Sequence, residues 1–291
     1  MKILEVIKKA SEELEKLNIE ESNLKIKILL SYLLNVKKEY LILNGNDELK
    51  EDIEKIFFEK LELIKNNYPI QYIVNKQSFY GYDFFVNENV LIPQPDTEIL
   101  VFEVIEYIKN LIEEKRKENK LNEKIKVLDL CTGSGIIAIC TALNFKDYVT
   151  VYASDISSDA LEVAKINSEN LKAEIEFVKS DLFENIKNVK FDIIVSNPPY
   201  IKTNVIESLD KEVQNEPFIA LDGKEDGLYF YKRIIKECKD YLSTDGKVFF
   251  EIGYDQKEEV KKLFENNGFI EIYSKKDFGN NDRIVVAKKG E

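Results

Sequence analysis

The tetrapeptide Asn197-Pro198-Pro199-Tyr200 contains the residues of this chain that are best suited to chemistry. It follows the apolar run 191–196, which predicts a buried parallel strand, so it lies at the strand end where open α/β sheets bind their ligands. The two prolines remove backbone N–H donors and favour an extended turn. The Asn197 side-chain oxygen and the Pro198 carbonyl can then accept both hydrogens of a planar NH2 group, beside the aromatic ring and hydroxyl of Tyr200. The pattern favours a socket for an amide or a conjugated amino group.

A glycine-containing turn follows an earlier predicted strand at 125–130. Gly133 and Gly135 permit a tight turn and a close approach of the backbone to a ligand at a helix N-terminus. Gly133, Gly135 and Ala138 also have the spacing of the dinucleotide-binding fingerprint, and Asp155 follows twenty residues after Gly135. At that position an acidic residue accepts hydrogen bonds from ribose hydroxyls. A nicotinamide enzyme therefore competes, at this point, with other enzymes that use nucleoside cofactors.

The end of the third predicted strand separates these alternatives. Asp181 can accept a hydrogen bond from an exocyclic adenine amine, and Leu182 can pack on the face of the ring. With the glycine turn, Asp155 and Asn197, these residues form one contiguous rim at the carboxyl edge of the sheet. Such a rim suits S-adenosylmethionine with its methyl group directed at the amide socket.

The composition limits the function classes. The 291 residues suit one large domain or, in better agreement with the pattern, a small and a larger one. The chain has no histidine, which removes Ser-His and Cys-His pairs and His-based metal sites. Its net charge of -12 weighs against a protein that follows nucleic-acid phosphates, although a local basic patch stays possible. Without a run of about 18 apolar residues or a signal peptide, we expect a soluble, cytoplasmic protein with no membrane contact. Three scattered cysteines fit a reducing compartment.

The elements that must position these residues fall into three stretches. Residues 1–75 show short amphipathic helical patterns, with a helix cap predicted at Ser22. Residues 76–95 are aromatic and β-rich, and they predict a linking β-hairpin. Residues 96–291 alternate helix and strand, which predicts an α/β fold with a seven-stranded, doubly wound, Rossmann-like sheet. The last two strands are close enough to form a hairpin, which would leave one antiparallel strand. The strands are expected at 125–130, 149–154, 174–178, 191–196, 247–252, 269–274 and 283–287.

Over nearly its whole length the chain resembles the HemK/PrmC family, the protein glutamine-N5 methyltransferases that modify translation release factors. The resemblance is carried by the segments 91–98, 131–135, 197–200, 216–228 and 251–256, and by Asp277 with Asp282 and Arg283 near the end. The segment 91–98, Leu-Ile-Pro-Gln-Pro-Asp-Thr-Glu, is its most specific part, because Asn-Pro-Pro-Tyr is shared with adenine and cytosine amino-methyltransferases.

The chain departs from the family pattern at three positions. Gln94 stands where the family usually has arginine, so any charge contact by that side chain is missing. Cys131 replaces the first glycine of the turn, and Lys224 replaces the second glycine of a Gly-Gly pair. None of these positions lies in Asn-Pro-Pro-Tyr.

The resemblance implies methyl transfer from S-adenosylmethionine, without a metal, to the glutamine of the Gly-Gly-Gln motif in class 1 release factors. The helical domain, residues 1–75, and the hairpin, residues 76–95, would bind this protein partner, and residues 96–291 would form the methyltransferase domain. No direct contact with nucleic acid is expected. Asn197, Pro198 and Tyr200 would be catalytic and, with Pro199, would bind the substrate. The residues expected at the cofactor are Asp129, Cys131, Thr132, Gly133, Ser134, Gly135, Asp155, Ile156, Asp181, Leu182 and Asn197.

Three alternatives stay open. Methyltransferases for a ribosomal-protein glutamine resemble this family, but they usually read Ser-Pro-Ile-Ala-Glu within the segment 91–98. An adenine-N6 methyltransferase acting on nucleic acid would need base flipping and a basic channel, which the acidic composition disfavours. A cofactor-binding adaptor without catalysis would not need the intact Asn-Pro-Pro-Tyr.

Residues 203–226 are polar and form a long connection, which suggests a substrate loop that becomes ordered on binding.

Overall fold

The computed structural model describes residues 1–120 and 122–290, and the chain divides into two compact units. The first unit consists of Met1–Lys76 together with Asp210–Asn215. The second contains Gln77–Leu209 and the residues from Glu216 onward. The short segment Asp210–Asn215 thus leaves the second unit and returns to it, which no pattern in the sequence indicates.

The first unit is helical, and its helices bury their apolar faces in one core that includes Leu14, Ile26 and Phe57. The predicted cap at Ser22 is wrong, because the second helix already includes that serine. Glu21 precedes it with a left-handed φ of 52° and makes no side-chain cap. The helices are α1 (Ile3–Lys16), α2 (Ser22–Leu34), α3 (Lys38–Leu43), α4 (Glu51–Lys65) and α5 (Ile70–Val74).

Two side-chain contacts hold Asp210–Asn215 within this unit. The Lys25 ammonium, which is almost fully buried, forms an ion pair with the Glu212 carboxylate. Asn215 Nδ2 donates to the carbonyl of Asn67 at 3.1 Å. A buried lysine is costly without a partner, so the ion pair favours this placement of the segment.

The second unit begins with a short antiparallel hairpin, β1 (Gln77–Phe79) and β2 (Tyr82–Phe84). Tyr80 and Gly81 connect the strands, and both have a positive φ, of 50° and 80°. Two-residue hairpin loops require such a backbone because it matches the twist of the strands. The predicted hairpin is therefore confirmed, and its Phe79 and Phe84 join a core of this second unit.

The sheet of the second unit confirms the predicted seven-stranded, doubly wound α/β fold. Its strand order is β5-β4-β3-β6-β7-β9-β8, and β9 is antiparallel to both neighbours while the other neighbouring pairs are parallel. The strands are β3 (Ile125–Leu130), β4 (Val149–Asp155), β5 (Ile175–Lys179), β6 (Phe191–Ser196), β7 (Leu242–Glu251), β8 (Phe269–Lys276) and β9 (Asp282–Lys289).

Helices cover both faces of this sheet. Val127 of β3 contributes to a core on one face, whereas Leu128 contributes to the core on the other, as the alternation of side chains along a strand requires. The helices of this unit are α6 (Thr97–Lys117), α7 (Ile136–Asn144), α8 (Ser158–Leu171), α9 (Thr203–Ile206), α11 (Phe218–Leu221), α12 (Tyr229–Cys238) and α13 (Lys257–Asn266), whereas α10 (Lys211–Gln214) belongs to the first unit. No helix within residues 1–120 and 122–290 is both long and apolar enough to cross a membrane.

Candidate active site

A cavity of about 290 Å³ lies at the carboxyl ends of strands β3, β4, β5 and β6, the edge at which the sequence places a ligand. Its volume lies just below the range of small-molecule sites, which is about 300–1,000 Å³. Asp129, Gly135, Pro198 and Tyr200 are not among the residues that line it. The predicted site residues that do line it are Cys131, Thr132, Gly133, Ser134, Asp155, Ile156, Asp181, Leu182, Asn197 and Pro199.

The two glycines of the turn after β3 have different roles. Gly133 has a φ of 54°, and a Cβ added there would meet no atom within 4 Å, so its missing side chain leaves open space beside the cavity. A Cβ on Gly135 would lie 3.1 Å from the Ala164 Cβ and from Ile139 Cδ1. Gly133 therefore permits the approach of a ligand, whereas Gly135 permits close packing of α7 and α8.

Cys131 holds the family's first glycine position with a left-handed φ of 59°. This backbone costs a non-glycine residue roughly 1 kcal/mol. Burial raises the pKa of the Cys131 thiol, and the nearby Asp155 carboxylate raises it further. The thiol is therefore protonated at neutral pH and is not a nucleophile.

Asp129 stabilises the glycine turn through two hydrogen bonds. It is fully buried, and its Oδ2 accepts hydrogen bonds from Thr132 Oγ1 at 2.6 Å and from the Ala138 N–H at 3.2 Å. Burial raises the pKa of this carboxyl to about 7, although both hydrogen bonds oppose the rise. Its predicted contact with a cofactor stays a prediction, since its observed contacts are to the turn itself.

Asp155 joins the glycine turn to the start of α8. Its Oδ2 accepts from the Gly133 N–H at 2.9 Å, and its Oδ1 accepts from the Ser157 N–H at 2.9 Å. Burial raises the pKa of this carboxyl, and the backbone hydrogen bonds oppose that rise. A carboxylate offers about four lone pairs, so the carboxylate retains capacity for the two hydroxyls of a ribose.

Asp181 already has a cationic partner in the cavity wall. Both of its oxygens accept from Arg233 Nη1, at 2.9 and 3.1 Å, and roughly a third of the Asp181 side chain is exposed. Leu182 beside it is buried in a left-handed conformation with a φ of 49°. An adenine amine bound at Asp181 would share the carboxylate with Arg233, a residue that the sequence analysis missed.

The side chains of Asn197 and Tyr200 form hydrogen bonds with different partners. Asn197 Nδ2 donates to Thr97 Oγ1 at 3.3 Å, and Asn197 Oδ1 accepts no hydrogen bond from the residues that the structure describes. Tyr200 Oη donates to Glu251 Oε1 at 3.4 Å. Burial and the neighbouring Glu251 raise the pKa of the Tyr200 hydroxyl, so it stays protonated. Asn197 thus faces the cavity, whereas the Tyr200 hydroxyl faces a buried carboxyl group.

The backbone after Asn-Pro-Pro-Tyr is fixed by Gln256. Its Nε2 donates to the carbonyls of Tyr200 at 3.0 Å and Gly227 at 3.1 Å, and its Oε1 accepts from the Gly253 N–H at 2.9 Å. Lys224, in the glycine position of the family, has a φ of 69° and therefore keeps a backbone conformation typical of glycine.

Four residues or segments at the site were missed as functional positions by the sequence analysis. Residues 89–94 and Thr97 line the cavity, as does Arg233. Glu251 ends β7, and only 2% of it is exposed. The family segments 91–98 and 251–256 contain Thr97, Glu251 and part of residues 89–94, but no local pattern connects these positions with Asn197.

Comparison with known proteins decides the family. Residues 5–74 match the PrmC N-terminal domain, and residues 110–208 match the Methyltransferase small domain. A Release factor glutamine methyltransferase of Clostridium acetobutylicum is 43% identical over 295 residues, covering 100% of this chain and 99% of that protein. One of Clostridium botulinum is 38% identical and covers 95% of each chain. The chain belongs to the release factor glutamine methyltransferase family.

The fold is shared more widely than this family. The catalytic domain of hMettl16, solved in complex with the MAT2A 3'UTR hairpin 6, aligns with a TM-score of 0.57 over 90% of this chain and 92% of that one. Its sequence identity is 17%, so the likeness concerns the methyltransferase fold alone. The resemblance to the family that the sequence predicted is confirmed by the full-length relatives.

Proposed function

We propose that this enzyme transfers a methyl group from S-adenosylmethionine to the side-chain amide nitrogen of the glutamine in the Gly-Gly-Gln motif of class 1 release factors. The observation that carries the proposal is the orientation of Asn197 at the end of β6. Asn197 lines the cavity, and its Nδ2 donates to Thr97, which leaves Oδ1 as the acceptor for an amide N–H. The full-length relatives named release factor glutamine methyltransferase support the substrate class.

The residues around the cavity fit the proposed cofactor. Asp155 offers acceptors for ribose hydroxyls, and Gly133 leaves room for a ligand against the turn. Asp181 and Leu182 offer an acceptor and an apolar face for adenine. When bound, S-adenosylmethionine supplies an electrophilic methyl group on a positively charged sulfur.

The chain's own contribution is to hold and polarise the amide. An amide nitrogen is a poor nucleophile because its lone pair is delocalised into the carbonyl. Asn197 Oδ1 and the Pro198 carbonyl would accept its two N–H bonds, which holds the nitrogen in line and raises its electron density. The same acceptors stabilise the positive charge that develops on the nitrogen. The proton then leaves to water, so no histidine is needed.

The roles that we propose for the segments of the chain assume that the substrate is a protein. Residues 1–75 and 76–95 would bind the release factor, and residues 96–291 would carry out the transfer. Residues 203–226 would contribute substrate contacts. A release factor acts in translation, so we place the reaction in the cytoplasm.

Radiolabelled methyl transfer to a purified release factor tests the proposal, with a Gly-Gly-Gln to Gly-Gly-Ala variant of the factor as the matched control. Label on the native factor and none on the variant is expected. Label on neither, with S-adenosylhomocysteine still bound by the enzyme, would refute the substrate, and label on nucleic acid would favour an adenine methyltransferase.

Two variants separate the proposed roles within the site. Asn197→Ala should abolish transfer and leave the affinity for S-adenosylhomocysteine within about tenfold, because one lost hydrogen bond is worth about 1 kcal/mol. Asp155→Ala should weaken the affinity for S-adenosylhomocysteine first. An equal loss of affinity in both variants would contradict this division.

A further inference from the structure

Asn167 is a buried polar side chain of α8 that the reaction itself does not use. Only 1% of it is exposed. Its Oδ1 accepts from the Phe85 N–H at 2.6 Å. Its Nδ2 donates to the Phe85 carbonyl at 3.0 Å and to the Ser134 carbonyl at 2.9 Å. One amide therefore joins α8 to two segments that lie 82 and 33 positions away in the sequence.

The partners of Asn167 fix the orientation of its amide. Phe85 is the first residue after β2, and its N–H and carbonyl both bind the Asn167 side chain, much as they would bind a neighbouring strand. The second hydrogen of Nδ2 is used by Ser134. A reversed amide would place an N–H donor against the Phe85 N–H and the oxygen against two carbonyls, so one orientation alone satisfies these groups.

Both segments held by Asn167 belong to the wall of the cavity. Ser134 lines it from the glycine turn, and residues 89–94 line it from the segment that follows Phe85. A turn lies between Phe85 and this second wall, and the Val90 N–H closes it by donating to the Asn87 carbonyl at 3.2 Å. Because the connection is short and hydrogen-bonded, a displacement of Phe85 moves the start of the second wall.

We propose that Asn167 is a positioning residue that holds the glycine turn and residues 89–94 at the separation that the nucleoside cofactor requires. The inference rests on the proposed function, since it takes the cavity to be the site of S-adenosylmethionine. Asn167 is not among the residues that line the cavity, so it acts through the backbones of Ser134 and Phe85. Without the amide, the cofactor itself must order the two walls when it binds, and this ordering lowers its affinity.

The far end of the second wall is held by a different side chain. The Ile92 N–H donates to Oε2 of the buried Glu216 at 2.7 Å. Thr97, a few residues further on, accepts from Asn197 Nδ2 at 3.3 Å. Neither contact involves Asn167, so the acceptor of the substrate amide should keep its place in Asn167 variants. The loss should therefore appear in cofactor affinity and not in the rate with bound cofactor.

The test compares two variants of Asn167. Asn167→Ala removes all three hydrogen bonds, and the calorimetric Kd for S-adenosylhomocysteine should rise about tenfold or more. Asn167→Asp keeps the shape and the acceptor for the Phe85 N–H, but it sets an oxygen against two carbonyls, so Kd should rise at least as much. KM for S-adenosylmethionine should rise in parallel, whereas kcat at saturating cofactor should change by less than about threefold.

Ser168→Ala is the matched control for loss of a buried hydrogen bond in the same helix. Ser168 is 7% exposed, and its Oγ donates to the Ala173 carbonyl at 2.6 Å. This bond touches neither Phe85 nor Ser134. The melting temperature of Ser168→Ala should fall, while its Kd for S-adenosylhomocysteine should stay within about twofold of the wild type.

Hydrogen exchange of the wild type gives a second arm that does not depend on the folding of a variant. Residues 82–88 do not line the cavity, yet Asn167 connects Phe85 among them with the glycine turn. S-adenosylhomocysteine bound in the cavity should therefore slow amide exchange in residues 82–88 as well as in the turn.

The inference would be overturned by a Kd within about threefold of the wild type in either Asn167 variant, or by an equal loss of affinity in Ser168→Ala. Unchanged exchange of residues 82–88 on binding would also overturn it. Failure of the proposed function looks different, because the wild type itself would then bind no S-adenosylhomocysteine or transfer no methyl group to the release factor.

Discussion

Replacement of Gln256 by alanine tests how strongly the backbone around Asn-Pro-Pro-Tyr is anchored. Gln256 is 6% exposed and makes three hydrogen bonds, to the carbonyls of Tyr200 and Gly227 and from the N–H of Gly253. The substitution leaves these three backbone groups without that partner. At about 1 kcal/mol for each group, the free energy of unfolding should fall by about 3 kcal/mol.

The same substitution should reduce methyl transfer by more than the loss of folded protein explains. The Tyr200 carbonyl is the anchor at the C-terminal end of the tetrapeptide, and its release loosens the position of Asn197. Positioning of the reacting groups supplies much of the rate in this reaction, so a fall of about tenfold or more in kcat is expected.

The measurement combines urea unfolding, followed by circular dichroism, with initial rates at a temperature at which the variant is fully folded. Lys262→Ala, at an exposed position of α13, the helix that Gln256 precedes, is the control and should change stability by less than about 0.5 kcal/mol. A loss below about 1 kcal/mol in Gln256→Ala would refute the energetic reasoning. A wild-type kcat on the folded variant would refute the role of the Tyr200 anchor.

Three further predictions concern the same site. Gly223→Ala places a Cβ 2.7 Å from the backbone Cα and C of Tyr200, so we expect a loss of about 1–3 kcal/mol in stability and a large loss of kcat; an unchanged urea midpoint would contradict it. Glu251→Gln should change how stability depends on pH, because the folded wild type holds its Glu251 proton up to about pH 7 whereas the unfolded chain releases it near pH 4.5. As the pH rises from about 4.5 to about 7, the free energy of unfolding of the wild type should therefore fall relative to that of the variant, by up to about 1.4 kcal/mol per pH unit. Urea titrations that give the same difference between the two proteins at every pH would exclude this. Arg233→Met removes the partner of Asp181 and should raise the calorimetric Kd for S-adenosylhomocysteine about tenfold; an unchanged Kd would show that Arg233 does not orient the carboxylate.

Local patterns predicted the central strands well. The predicted bounds of β3 and β6 match the structure residue for residue, because buried parallel strands have continuous apolar runs. Strand β7 begins at Leu242, five residues before its predicted start, since Ser243, Asp245 and Gly246 interrupt the apolar pattern. There the strand is defined by pairing with β6, which begins at Phe191 opposite Leu242.

The cap of α2 shows the opposite case. A serine before an apolar helical pattern predicts an N-cap, yet Ser22 is the first residue of the helix. The residue before it is in the left-handed region, so the chain enters the helix through a turn that the propensity of Ser22 does not reveal. Likewise, the ion pair between Lys25 and Glu212 joins residues 187 positions apart, beyond the range of any local pattern.

The sequence by itself determined which residue types stand at the strand ends. The glycine turn, Asp155, Asp181 and Asn197 follow apolar runs directly, and the carboxyl ends of parallel strands share one edge. Only the tertiary structure decided the partners of these groups. Asn197 meets Thr97 100 positions away, and Asp181 meets Arg233 52 positions away. The order of strands, with β7 next to β6, brings Glu251 at the end of β7 to the hydroxyl of Tyr200, which follows β6. Sheet order depends on how whole elements pack, whereas sequence patterns report only each element's own neighbours along the chain.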